Sequence, residues 1–373
     1  MLIRNAAAYL DGRFVPGTDV RVTDGVVAEI GVNLSAMPGE TMIDAQGQYL
    51  LPGFVDVHIH AFYGYDTMEG EAAVRHMSRW LHQEGVAAFL PTTMSADEED
   101  TRIAIRGVRA VMNDPEPRGA RVLGAHMEAP FLAGSKCGAQ LAEHFMDPSM
   151  EELRRLTDGD LAAVRVITIA PERSGSEAFI REATEQGIVV SIGHTAATGE
   201  ITHAAADWGA SHVTHTFNAQ TPIHHRDPGV PGAAMVDDRL YCEMICDGVH
   251  LHPDIIRLMV RAKGVGKAVM ITDAMEAAGM SDGEYELGGQ KVIVREGQAR
   301  LESGVLAGSV LTMPQALRNM ILRFGFTPEE AVRMCTQTPA ESIGETVIGR
   351  IVPGSPAPLT LWSNDWMDMQ VIA

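Results

Sequence analysis

Leu50-Leu51-Pro52-Gly53-Phe54-Val55-Asp56-Val57-His58-Ile59-His60 is the segment on which the organisation of this chain turns. As a β-strand, residues 54–60 alternate faces, so Asp56, His58 and His60 share one side while Val55, Val57 and Ile59 share the other. Two imidazoles then stand side by side at the end of an apolar strand entered through Pro and Gly. That suits the mouth of a parallel barrel, where the C-terminal ends of strands carry ligands. Taken alone, the His-x-His pair fits two solvent-facing histidines on an ordinary strand equally well.

The chain on either side breaks the tie. Before residue 52 the pattern is short strands with turns: 2–10, Asp11-Gly12, 19–23, Asp24-Gly25, 26–30. Asp-Gly between apolar runs is a hairpin signal. From Phe54 onward, expected strands at 54–60, 87–92, 122–128, 164–170, 188–194, 211–216, 241–247 and 267–273 alternate with amphipathic helical patterns, such as 72–84, 98–112, 176–186 and 253–262. Strands alternating with helices imply a parallel sheet, and eight of them a closed (β/α)8 TIM-like barrel. A Gly-rich β segment follows at 283–302, then helices near 313–324 and 328–336, and strands again in the tail from Gly349 to Ala373. The expected organisation is a small β-sandwich domain from residues 1–52 plus 345–373 around a catalytic barrel of residues 53–344.

Composition is consistent with this. At 373 residues, 46% of them hydrophobic, the chain can build a barrel with an appended domain. No apolar run approaches the roughly 18 residues that span a bilayer, so no membrane partner is expected. The N-terminus lacks a secretory pattern, and Cys137, Cys242, Cys246 and Cys335 form no CxxC pair or even framework. A cytoplasmic protein with reduced thiols is expected. A net charge of −20 argues against nucleic-acid binding, which needs a basic face, but not against a small anionic substrate held by one arginine.

Polar ligand types recur at the ends of the expected strands: His58 and His60 on the first, Glu128 on the third, His194 on the fifth, His215 on the sixth and Asp273 on the eighth. One such residue is usually a structural hydrogen-bonding group. Five strands supplying imidazole or carboxylate at one rim point to a metal centre. Imidazole and carboxylate without thiolate suit zinc, iron or manganese and leave room for a water whose pKa the ion lowers. A nearby carboxylate, Asp273, can take the proton and return it to a leaving group, which describes amide or ester hydrolysis.

These residues resemble the amidohydrolase superfamily, and within it the N-acetylglucosamine-6-phosphate deacetylases. The resemblance is carried in order by LPGFVDVHIHAFYGYDTME (51–69), GAHMEAPFL (124–132), SIGHTAAT (191–198), THTFNAQTPIHHRDPGVPGAA (214–234), CDGVHLHP (246–253), ITDAMEAAGMSDG (271–283) and GVLAGSVLTM (304–313). It implies that Glu128, His194 and His215 hold the principal divalent metal, zinc before Fe2+, Mn2+ or Co2+. His58 and His60 would hold a second ion with the strand-eight aspartate in members that bind two. It further implies Asp273 as general base and then acid, His250 at the acetyl carbonyl or sugar, and Arg226 with the Asn218-Ala219 backbone at the sugar phosphate. The implied reaction is deacetylation of N-acetylglucosamine 6-phosphate to glucosamine 6-phosphate and acetate, in amino-sugar catabolism or cell-wall recycling, by a homodimer.

Departures bear on the substrate. Ala129 replaces the glycine usual after the family's glutamate, and Gln140 replaces a histidine that touches the sugar, which keeps the galactosamine epimer as an alternative. A cyclic amidase would be expected to bridge two metals with a carboxylated lysine. The four lysines, Lys136, Lys263, Lys267 and Lys291, end none of the expected strands. A catalytically dead scaffold would have lost ligands that are all present here.

Overall fold

The computed structural model describes residues 1–115 and 118–372; Ala373, the last residue of the expected tail, lies outside them. The eight barrel strands run Phe54–Ile59, Val86–Thr93, Ala125–Met127, Val164–Ile169, Val189–Ile192, His212–Val213, Tyr241–Ile245 and Ala268–Ile271. Neighbours pair in parallel from the first strand round to the eighth. The first two strands are buried at every position, as expected where helices cover the outside and side chains fill the inside. Strands one and eight meet without a regular ladder. The Asp273 N–H donates to the His58 carbonyl at 2.9 Å, and the Asp56 carboxylate accepts from the Thr272 backbone and hydroxyl. The expected (β/α)8 barrel is thus present and nearly closed.

Sequence grammar accounts for the surrounding elements. The helix Glu98–Met112 begins where the Asp97 side chain accepts from the Asp100 N–H, with Glu98, Glu99 and Asp100 in its first turn facing the positive end of the helix dipole. Both Asp-Gly turns have positive φ at each central residue, 48° and 82° at Asp11-Gly12 and 49° and 72° at Asp24-Gly25, the geometry that matches strand twist in a tight hairpin. They join Leu2–Leu10, Arg13–Thr23 and Val26–Gly31.

Both ends of the chain contribute to one seven-stranded sheet. Tyr49–Pro52 lies beside Leu2–Leu10 on one side and pairs antiparallel with Leu359–Trp362 on the other, and Leu359–Trp362 in turn pairs with Met369–Ile372. Ile3, Val20, Val27, Leu50, Leu359 and Ile372 form its own buried cluster, apart from the barrel core. A third, three-stranded antiparallel sheet, Gly283–Leu287, Gln290–Arg295 and Gln298–Leu301, packs on Met94 and Met275 beside the barrel mouth.

Candidate active site

The ligand-type residues converge because their strands end at one level and the backbone turns sharply there. His194, His215 and Asp273 each adopt positive φ (45°, 26° and 50°), as do Phe217 and Ala219 just beyond the sixth strand. Non-glycine residues in this region carry strain of about 1–3 kcal/mol, which the surrounding fold must hold in place. Gly193 lets the fifth strand pass: a Cβ there would lie 2.7 Å from Thr168 Cγ2 and from Thr214 Cβ.

Two buried clusters share the rim. In the first, His215 Nε2 stands 2.8 Å and His194 Nε2 3.1 Å from Glu128 Oε1, with the two nitrogens 3.1 Å apart. In the second, His60 Nε2 lies 3.2 Å and His58 Nε2 3.5 Å from Asp273 Oδ1, and His60 Nε2 lies 3.3 Å from His58 Nε2 and from Glu128 Oε2. The ligand atoms of each set lie within 4.8 Å of one another.

The donor set fits a divalent cation. His194 Nδ1–H donates to the Lys136 carbonyl at 2.8 Å and His60 Nδ1–H to the Thr92 carbonyl at 3.3 Å, so Nε2 of both rings faces the carboxylates. A bare ring nitrogen 3.1 Å from a carboxylate oxygen repels it unless a positive charge stands between them. The electrostatics agree. Burial opposes charge on His60, but Asp273 and Glu128 outweigh it and push the imidazole up to about 10. His215 is likewise pushed up to about 9, against its burial, mainly by Glu128. Burial also opposes charge on Glu128, which His194 and His58 nevertheless hold well below the usual carboxylate range. His58 and His60 similarly lower Asp273 against its burial. A site that concentrates negative potential between ring nitrogens suits a cation with imidazole and carboxylate ligands.

Above the clusters opens a cavity of about 600 Å3, whose lining includes His60, Glu128, His194, His215 and Asp273 at its base. Asn218, Ala219, His250 and Gln140 also line it, so four of the five residues expected at the substrate reach the same space. His250 Nδ1–H donates to Asp247 at 2.7 Å, which turns its other nitrogen away from that carboxylate. Gln140 does more than face the cavity. Its carbonyl oxygen accepts from the Ser95 N–H and its amide donates to Glu128 Oε2. Arg226 is outside: it is exposed, in contact with His225, and does not line the cavity.

Three residues near the site were assigned no role in it from the sequence. Lys136 and Arg300 also line the cavity, Arg300 from the three-stranded sheet. Glu243 lies fully buried beneath it, bonded to His58. A glutamate inside the apolar run Tyr241-Cys242-Glu243-Met244-Ile245 was the available signal, since a buried charge requires a partner. His126, which shares a strand with Glu128, is a core hydrogen-bonding residue: Nδ1 lies 3.1 Å from the Val57 carbonyl and Nε2 2.8 Å from the Thr168 hydroxyl.

Comparison with known proteins agrees with this geometry. The amidohydrolase family model matches residues 49–372. An N-acetylglucosamine-6-phosphate deacetylase of Lysinibacillus sphaericus is 39% identical over 95% of this chain and 91% of its own length. An N-acetylgalactosamine-6-phosphate deacetylase of Escherichia coli O157:H7 is 36% identical over 91% and 88%. Among solved structures, a mutant N-acetyl-D-glucosamine-6-phosphate deacetylase of Mycobacterium smegmatis in complex with N-acetyl-D-glucosamine-6-phosphate superposes with a TM-score of 0.89 at 32% identity, covering 98% of this chain and 96% of that one. Carrying a ligand-rimmed barrel within the span that the model matches, and similar over nine-tenths of its length to such relatives, the chain belongs to the amidohydrolase family.

Proposed function

We propose that this protein is a metal-dependent hydrolase that deacetylates N-acetylglucosamine 6-phosphate to glucosamine 6-phosphate and acetate. The observation that carries the reading is Asp273, buried at the base of the cavity beside the two imidazole–carboxylate clusters. Glu128, His194 and His215 would hold the principal ion, and His58 and His60 with Asp273 would hold a second. Bound there, a divalent cation supplies Lewis-acid polarisation of the amide carbonyl and acidification of water. The nitrogen and oxygen donors accept zinc, which we propose, and also Fe2+, Mn2+ or Co2+.

Asp273 takes the proton of the attacking water as the new carbon–oxygen bond forms. It then delivers that proton to the sugar nitrogen as the carbon–nitrogen bond breaks, because an amine leaves poorly unless protonated. His250, steadied by Asp247, orients the acetyl carbonyl or the sugar. Gln140 faces the sugar while holding Glu128. Asn218 and Ala219 line the cavity where the phosphate would bind, and that remote contact supplies orientation for attack.

Arg226 stands exposed outside the cavity of its own copy, three residues after the 43%-exposed Ile223, and we propose a homodimer in which this loop of one copy approaches the cavity of the other. No helix among the described residues is long and apolar enough to cross a membrane. Four free cysteines support a cytoplasmic setting. We also propose the boundaries above, with residues 1–52 and 345–373 as one unit and 53–344 as the catalytic barrel. The functional test is incubation of zinc-loaded and chelator-stripped protein with N-acetylglucosamine 6-phosphate. Acetate and free amine in equal amounts from the loaded protein alone are expected; intact substrate with loaded protein contradicts the reading.

A further inference from the structure

His58, His126 and Glu243 form a third buried cluster below the rim, their ligand-type atoms within 4.8 Å of one another. It is not a third metal site. His126 has both nitrogens committed, Nδ1–H to the Val57 carbonyl and Nε2 to the Thr168 hydroxyl, so it offers no lone pair to an ion.

What remains is a buried carboxylate that the hydrolytic mechanism does not use. Glu243 lies on the seventh barrel strand, fully buried. Its Oε2 is 3.0 Å from His58 Nδ1 and accepts the His215 backbone N–H at 3.0 Å. Its Oε1 has no hydrogen-bond partner among the described residues; His212 Nδ1, at 3.6 Å, is beyond hydrogen-bond range. One oxygen therefore ties the His58 ring on the first strand to the backbone of His215 beyond the sixth.

We propose that Glu243 is a positioning residue: it fixes His58 as the Nδ1–H tautomer, so that the Nε2 lone pair faces His60 and Asp273, and it anchors the turn that presents His215. Oε2 is already an acceptor for the His215 backbone N–H, so its 3.0 Å contact with the ring places the proton on His58 Nδ1. His60 and His194 meet carbonyl oxygens at the same ring position. Of the rim histidines His58, His60, His194 and His215, only His58 has a carboxylate there among the described residues. Partners of this kind set ring orientation and ligand basicity, and their loss typically costs about 10–100-fold in metal affinity. This inference rests on the proposed metal-dependent function, but its structural half can be tested without it.

The experiment is long-range 1H–15N correlation on 15N-histidine-labelled full-length protein, with and without zinc, with His58 assigned from its loss in His58→Gln. The wild type should show Nδ1 protonated and Nε2 bare. Glu243→Gln keeps an acceptor oxygen and should keep this tautomer. Glu243→Met should lose it, and the zinc concentration that shifts the His58 Nε2 resonance should rise 10- to 100-fold. A wild-type His58 protonated at Nε2 overturns the proposal. So does a folded Glu243→Met with unchanged tautomer and zinc response, even if it melts earlier. If Glu243→Met does not fold, the wild-type tautomer still decides. A wild type that binds no zinc refutes the functional reading, while the tautomer is still read on the metal-free protein.

Discussion

Asp273 shows how much a single residue's environment adds to its chemistry. An aspartate near pKa 4 is common; one buried against His58 and His60 at the base of a cavity can move a proton within the reacting complex. Asp273→Asn should bind the principal zinc with near-wild-type affinity and lose roughly 10²–10⁴ in kcat, read by metal analysis and acetate release. Retained turnover would remove Asp273 from the mechanism. In the proposed homodimer, where the Arg226 loop of one copy approaches the cavity of the other, Arg226→Ala should raise KM for the phosphorylated sugar and leave any slow action on the unphosphorylated one unchanged; equal losses would refute a phosphate role for that loop. The rim residues were legible in sequence because period-two strands place side chains at predictable ends. Glu243 and the bonding of Gln140 were not, because Gln140 meets Ser95 across 45 positions and Glu243 meets His58 across 185.

At the scale of elements, close packing fixes how neighbouring helices sit. Gly107, within the helix Glu98–Met112, abuts the start of the helix Glu71–Gln83: a Cβ there would lie 2.4 Å from the Glu71 nitrogen and 2.7 Å from the Gly70 Cα. Backbone cannot swing aside as a side chain can. Gly107→Ala should therefore destabilise the protein by about 1–3 kcal/mol, measured as a fall in the urea midpoint with unchanged slope. An unchanged midpoint would mean that the two helices separate freely. The hairpins and all eight barrel strands could be read locally, from Asp-Gly turns and apolar runs. The left-handed backbone of His194, His215 and Asp273 could not, because nothing in a histidine or an aspartate requires it. Tertiary contacts impose it.

For the whole molecule, ligands drawn from the first, third, fifth, sixth and eighth strands make metal binding and barrel closure one problem. Zinc at 100 times its dissociation constant should stabilise the fold by about 2.7 kcal/mol, so the chelated protein should melt earlier and recover on adding zinc. No change would show that the clusters do not bind the ion. The barrel was legible from its alternation of strands and helices. Arg226 outside the cavity was not, since no local pattern says which way a loop points. The most direct measurement is acetate release by zinc-loaded protein from N-acetylglucosamine 6-phosphate, its galactosamine epimer and unphosphorylated N-acetylglucosamine, side by side. The proposed function predicts preferred turnover of the first, in keeping with the similarity to N-acetylglucosamine-6-phosphate deacetylases, and the contrary result is zinc-bound protein that releases acetate from none of them.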